Sequence, residues 1–348
     1  MTVSQPAAAA IGGGIRPIRA RLTATLLVFG GVAAGACLVA PLVGSTSISL
    51  SRAFDRSVPF ADNVDAQIFF LARLPRVLAG ALAGAALASV GVVLQALLRN
   101  PLASPYTLGV SAGSALGAML AISFGASVAF GPLSPVPLAS LAGACAAAAL
   151  VYALATKPGR PMSTSVLLLA GVTLNSFFSA LILFVQYMAD FTETYRTIRW
   201  LMGDLDVGGV TPLLGVLPLI AAGWAMLAPL PSSLNLLSVG TDAAATRGVD
   251  VARTQRMAFI GAALTTAGAV ALAGPIGFVG IVVPHLVRLM IGVDHRVVLP
   301  ASALLGAAFL VGCDLISRTI LAPVEVPVGI VTAMLGGPFF LWLLVRKA

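Results

Sequence analysis

Charge is what this 348-residue chain has least of: charged side chains make up 9% of it, against 59% hydrophobic. A water-soluble domain carries about a quarter charged residues, so with a mean hydropathy of +1.03 a soluble domain is excluded. Lysine is nearly absent. Lys157 and Lys347 are the two present, and neither follows a GxxxxG turn, which excludes a P-loop and ATP hydrolysis by this chain. Two histidines, His285 and His295, stand ten apart without a paired ligand set, so no metal site is expected; His295, between Asp294 and Arg296, reads as part of a solvated turn. The three cysteines, Cys37, Cys145 and Cys313, all lie inside apolar runs, which argues against disulfides and zinc. No spacing suggests a nucleophile with its base and orienter, and no cofactor is expected on the chain. Acids are almost missing from the apolar runs. Asp314 is the one candidate, four residues before Arg318 as an i,i+4 pair. Carriers driven by protons or sodium use more buried acids than this, so the energy source is expected off the chain. The net charge of +8 is no nucleic-acid signal, because the arginines are scattered at segment ends.

What is there is a series of apolar runs, many of them near the 20 residues that cross a bilayer as helix. They do not alternate as barrel strands would. Ten candidate spans follow: Leu22–Val43, Arg76–Leu97, Leu108–Phe124, Val136–Ala155, Val166–Ala189, Pro212–Leu230, Met257–Ala273, Phe278–Ile291, Val297–Ile320 and Val328–Val345. The expected fold is therefore an all-α integral membrane protein. Residues 1–20 read as a mobile cytoplasmic tail without a cleavable signal, and 21–348 as one transmembrane domain. An even span count puts both termini on one side. With that side cytoplasmic, the inside receives Arg16, Arg19, Arg21, Arg99, Lys157, Arg160, Arg247, Arg253, Arg256, Arg288, Arg296, Arg346 and Lys347, most of the 20 basic residues. Of the 12 acids only Asp242, Asp250 and Asp294 fall there, as the positive-inside rule requires.

Small residues recur at helical spacing in Gly31/Gly35, Gly80/Gly84 and Gly109/Gly113/Gly117. Such stripes let helices approach closely where apolar burial gives little drive. Arg99-Asn-Pro-Leu-Ala-Ser-Pro105 reads as a tight turn. The five-residue link Gly274–Phe278 is expected to make the helices on either side neighbours, and Pro284 interrupts the second of them. The longest outer loop, Asp190–Thr211, is expected to hold a surface helix capped by Thr192 and ended by Gly203, with Tyr195 and Trp200 suited to the membrane interface.

Between spans six and seven lies a polar island, residues 232–256, with Arg247, Arg253 and Arg256 against Asp242 and Asp250. Thr241 as N-cap, an alanine run and Gly248 as terminator read as a short helix outside the bilayer, either a docking surface or an ordinary loop. In span five, Asn175 and Ser179 are four apart and share a face, with Ser176 and Gln186 nearby; they either hydrogen-bond between helices or line a pathway. Arg73 and Arg76, three apart, break the positive-inside trend at the outer mouth, as lipid anchors or for a specific use.

The stretch Arg73-Leu-Pro-Arg76 running into LAGALAGAALASVGVVLQALLRNPLASPYTLGVSAGSALGA resembles a signature of the FecCD-type permeases. ALAGPIGFVGIVVPHLVRLMIGVDHRVVLP and VEVPVGIVTAMLGGPFFLWLL agree with it, so the likeness covers about Arg73 to Arg346. These are membrane subunits of type II bacterial ABC importers for iron–siderophore complexes, haem and vitamin B12. The resemblance implies a ten-helix permease in the inner membrane, working as a homodimer with two ATPase subunits, which carry ATP and Mg, and one periplasmic substrate-binding protein. It makes Thr241–Gly248 the helix that couples to the ATPase, with Thr241, Asp242, Ala245, Arg247 and Gly248 as contact positions. It implies docking of the binding protein on Arg73, Arg76 and Arg318, and a gate at Asn100, Leu102, Ser163 and Thr164, with Asn175 and Ser179 along the pathway. An iron chelate or haem is the expected cargo, vitamin B12 the alternative; a secondary transporter or a membrane-embedded enzyme finds less support.

Overall fold

The computed structural model describes residues 18–126, 134–156 and 162–347, apart from the side chains of 343, 344, 346 and 347. Arg16, Lys157, Arg160 and most of the expected tail lie outside the described residues, and Ile18–Ala20 already belong to the first helix.

The apolar runs all become helix: α1 (Ile18–Val39), α2 (Leu74–Leu97), α3 (Val110–Ser123), α4 (Pro135–Ala155) and α5 (Thr164–Met188). A surface helix, α6 (Phe191–Leu201), precedes α7 (Thr211–Leu227) and α8 (Pro231–Leu237). After them come α9 (Thr241–Thr246), α10 (Val251–Ala273), α11 (Val279–Ile291), α12 (His295–Thr319) and α13 (Val328–Lys347). Among the described residues six helices are long and apolar enough to cross a membrane, or seven if α7 and α8, bent by 59°, count as one. Three further apolar segments, α3, α11 and Val328–Trp342 of α13, count as shorter ones of 10–17 residues, although α13 as a whole runs 20 residues.

Proline sits where a missing N–H costs nothing, in the first turn of α2, α4, α7 and α8. Pro218, Pro284, Pro300 and Pro338 lie inside helices, as bundles tolerate when neighbours satisfy the freed groups.

Helices α2 and α10 form the centre, with 78% of their most apolar windows buried, while α1 and α5 stand at the edge with 17%. Glycine sets the approach distances. A Cβ on Gly84 would lie 2.2 Å from the Gly306 carbonyl oxygen, on Gly91 1.9 Å from that of Gly280, and on Gly117 2.1 Å from that of Ala139. Thus α2 packs on α12 and α11, and α3 on α4, where Ser114 and Ser140 also share a buried 2.6 Å hydrogen bond. The small-residue expectation fails at two places: Gly31 and Gly35 have nothing within 4 Å, and Gly109 is a left-handed cap before α3.

The link Gly274–Phe278 does not produce a packed pair. Left-handed backbone at Gly274 and Phe278 turns the chain, so α10 packs on α7 and α2 while α11 packs on α2 and α12. The surface helix is confirmed, but its cap is Asp190, which accepts from the Glu193 N–H at 2.8 Å, rather than Thr192. Asp190 forms the bond because it stands immediately before the first helical residue. Gly203, at φ +81°, follows the helix end as expected.

Candidate functional site

The two expected functional regions occupy opposite ends of the bundle. At one end α7 bends into α8 and then α9. The cap of α9 is Gly240 rather than Thr241, because φ +155° at Gly240 makes the turn into the helix and Thr241 is already its first residue. The far end follows the expected design in full. Gly248 takes φ +83°, its N–H donates to the Ala245 carbonyl, and the Val249 N–H donates to that of Ala244, the paired bonds of a Schellman motif. Ala244 is buried, while Asp242, Ala245, Arg247 and Gly248 are exposed and Thr241 half-buried. Asp250 then caps α10 by accepting from the Arg253 N–H at 2.9 Å, so α10 starts six residues before the expected Met257 and carries the exposed Arg253 and Arg256 in its first turns.

A polar clamp holds α8 to the start of α12. Asn235 Oδ1 accepts from the His295 backbone N–H at 2.9 Å and from Nδ1 at 2.7 Å, and Nδ2 donates to Asp294 at 2.8 Å. Arg296 forks onto Asp294 and holds its carboxyl well below the usual carboxylate range, against the opposing effect of partial burial. His295 is 5% exposed; the solvated turn expected there is a buried helix start, because α8, 60 residues away in sequence, covers it.

The positions expected to form the gate share this end. Asn100 is half-buried in the turn closing α2 and accepts from the Leu102 N–H at 2.9 Å, which leaves Leu102 exposed. Ser163 caps α5 and Thr164 is its first residue. The chain after that turn lies on α5: a Cβ at Gly171 would stand 2.2 Å from the Thr107 carbonyl oxygen. On α5, Asn175 is half-buried and Ser179 exposed, and Ser176 returns its hydroxyl to the Val172 carbonyl. Two buried glutamines that sequence reasoning missed hold these segments. Gln255 Oε1 accepts from the Met162 N–H at 2.8 Å. Gln95 donates to the Gly280 carbonyl at 3.1 Å and accepts from Arg288.

At the opposite end Arg73, Arg76 and Arg318 come together, but as an internal network and not as an exposed helix face. Arg73 is 6% exposed and donates to the Pro41 and Thr46 carbonyls. Arg318 is 4% exposed and donates to the Ala40 carbonyl at 2.6 Å. Arg76 bonds Asp314 at 2.8 Å on its buried side and Glu325 at 2.7 Å toward the surface. The expected i,i+4 pair exists, with Arg318 Nε 3.5 Å from Asp314. Burial forces this arrangement: a guanidinium that leaves water must find acceptors, and the turn 40–46 supplies carbonyls. A cleft of about 190 Å³ touches all three arginines with Asp206 and Glu325; beside it a larger one of about 520 Å³ runs along α6 past Arg199 and Asp204.

A multi-helix membrane subunit with a short capped helix standing out from one end is the architecture of a transporter permease. The chain belongs to the FecCD transport family, whose description matches residues 27–346. It is 46% identical over 272 residues to the cobalamin import system permease BtuC of Halobacterium salinarum, covering 78% of this chain and 72% of that one. It is 41% identical to the uncharacterized ABC transporter permease YvrB of Bacillus subtilis, covering 85% and 84%. The hemin transport system permease HmuU of Yersinia pestis is 38% identical, covering 79% and 82%. A solved metal-chelate type ABC transporter in an inward-facing conformation superposes with a TM-score of 0.80 at 33% identity, covering 94% of this chain and all of that one. The fold is that of a type II ABC importer permease, a multi-pass protein of the bacterial inner membrane.

Proposed function

We propose that this chain is the membrane-spanning subunit of an ATP-driven importer, that it forms the translocation pathway for a bulky metal chelate, and that it catalyses no reaction itself. In this reading it works as a homodimer on two ATPase subunits that bind ATP and Mg, takes its cargo from one periplasmic binding protein, and keeps both termini in the cytoplasm. The observation that carries it is α9: a six-residue helix closed by a full Schellman motif, with Ala244 buried and Asp242, Ala245 and Arg247 exposed. A helix this short is not stable alone, so a rigidly capped one standing out from the bundle is a docking feature. Replacing Arg247→Glu together with Gly248→Ala reverses a contact charge and strains the left-handed cap by about 1 kcal/mol. Co-purification of the ATPase, or the ratio of transport to hydrolysis, is expected to fall. Unchanged stimulation and unchanged transport in this double variant would overturn the coupling role.

For cargo, iron–siderophore or haem stands first, supported by the hemin-transporting relative. The cobalamin-transporting relative at 46% identity favours vitamin B12 as the second reading. Uptake of labelled ferric siderophore, haem and cobalamin into vesicles holding the full complex separates them. For the binding protein, Arg76 is the member of the arginine cluster that reaches the surface, through Glu325, while Arg73 holds the 40–46 turn and Arg318 binds the Ala40 carbonyl and Asp314.

A further inference from the structure

Between α4 and α10 lies an open apolar cleft of about 230 Å³. Tyr152 and Phe259, whose rings stand 5.8 Å apart, line it toward the end of α4 and the start of α10. Small side chains open it. Ala148 and Ala149 on α4 and Ala263 on α10 leave a gap where longer residues would interdigitate. Ala149 is exposed, and the neighbouring Leu150 and Leu154 are exposed as well, so the cleft opens onto an apolar outer surface. In a membrane such a gap forfeits dispersion contacts unless an acyl chain fills it. Any lipid would serve that need. The charge above the cleft is more selective. Ile260 and Ala263 on the α10 wall come four and seven residues after Arg256, and Ile260 comes seven after Arg253. Both arginines therefore stand on the helix face that lines the cleft, one and two turns beyond it. Both are exposed, and no ion pair among the described residues includes either. The nearest carboxylate in sequence, Asp250, accepts the Arg253 backbone N–H as the cap of α10. Two guanidiniums over an apolar cleft match a phosphate carried on an acyl chain.

We propose that this cleft is a binding site for an anionic phospholipid of the leaflet on the α9 side, with an acyl chain between α4 and α10 and the phosphate on Arg253 and Arg256. The site needs only the membrane-spanning fold and does not depend on the coupling role given to α9. It is tested on the full chain in phosphatidylcholine vesicles. These carry a trace of either phosphatidylglycerol or phosphatidylcholine with the same diazirine-bearing acyl chain, and the crosslinked peptides are mapped by mass spectrometry. Labelling over 145–152 and 259–264, taken relative to that of α1, is expected to be at least fivefold higher with the phosphatidylglycerol. Arg253→Gln together with Arg256→Gln is expected to bring that preference below twofold. Ala149→Phe, which fills the cleft from its exposed rim, is expected to remove the cleft labelling by both lipids and to leave that of α1. Equal labelling by the two lipids identifies ordinary surrounding lipid and overturns the proposal. A preference that survives the glutamine pair overturns it too, as does a cleft that takes no label, which would be covered by protein. Should the glutamine pair not fold, the unsubstituted chain decides: the preference must fall as salt screens the arginines, and one independent of salt overturns the assignment. Adding the ATPase is expected to leave the preference in place; its loss would give Arg253 and Arg256 to that partner and overturn the site.

Discussion

Asp314 shows what one carboxylate does inside an apolar bundle. It is 2% exposed as a side chain and faces two guanidiniums, Arg76 at 2.8 Å and Arg318 at 3.5 Å. Removing one member of a buried ion cluster leaves the others uncompensated, a loss of about 3–5 kcal/mol. Asp314→Asn is therefore expected to lower the midpoint of thermal unfolding in detergent by many degrees, and Glu325→Gln, whose side chain is 42% exposed, to change it little. Equal effects would show that Asp314 is not the centre of the cluster. The same geometry decides how docking can be tested. Reversing Arg73 to Glu would set a carboxylate against the Pro41 and Thr46 carbonyls, so loss of binding would report misfolding. Substitutions at Glu325 and Arg199 probe the same mouth from the solvent side.

At the scale of the element, helix contacts divide by whether glycine meets a backbone. Gly84→Ala would place a Cβ 2.2 Å from the Gly306 carbonyl oxygen and Gly91→Ala 1.9 Å from that of Gly280, whereas Gly31→Ala meets nothing within 4 Å. The first two must separate helices and are expected to cost about 1–3 kcal/mol or more each. The third is expected to be neutral or slightly stabilising through helix propensity. Thermal unfolding of the three variants checks the order, and a Gly31→Ala as damaging as Gly84→Ala would show that α1 has a partner. These differences explain what could be read from sequence. The spans, the Gly248 terminator and the Asn100 turn were legible because each is written within a few consecutive residues. The true caps, Gly240 and Asp190, were missed by one and two positions, since several good capping types stand side by side there. The burial of His295 under Asn235, of Arg73 under the 40–46 turn, and the Gln255–Met162 bond depend on tertiary neighbours 27 to 93 residues away. No local pattern records them.

For the whole molecule, the two peripheral spans carry different surfaces, and the difference assigns them different surroundings. From Leu26 to Val39 the exposed positions of α1 are Leu, Val, Ala and Gly throughout, a surface suited to lipid tails. Helix α5 exposes Leu169, Val172, Phe177 and Leu183 as well, but Ser176 and Ser179 are exposed among them and Asn175 is half-buried. Ser176 bonds its own helix at the Val172 carbonyl, but Ser179 and Asn175 facing hydrocarbon would be costly, so the α5 face is expected to stand against a second subunit or a water-filled path, and α1 outside. In a homodimer the α5 helices then approach the twofold axis and the α1 helices lie farthest from it. Ser179→Cys is expected to crosslink between subunits in membranes with a short bismaleimide, while Val32→Cys stays monomeric and reacts only with membrane-soluble reagents. Crosslinking at Val32 without crosslinking at Ser179 would reverse the assignment, putting the open Gly31–Gly35 stripe at the interface and leaving the polar face of α5 without its proposed pathway.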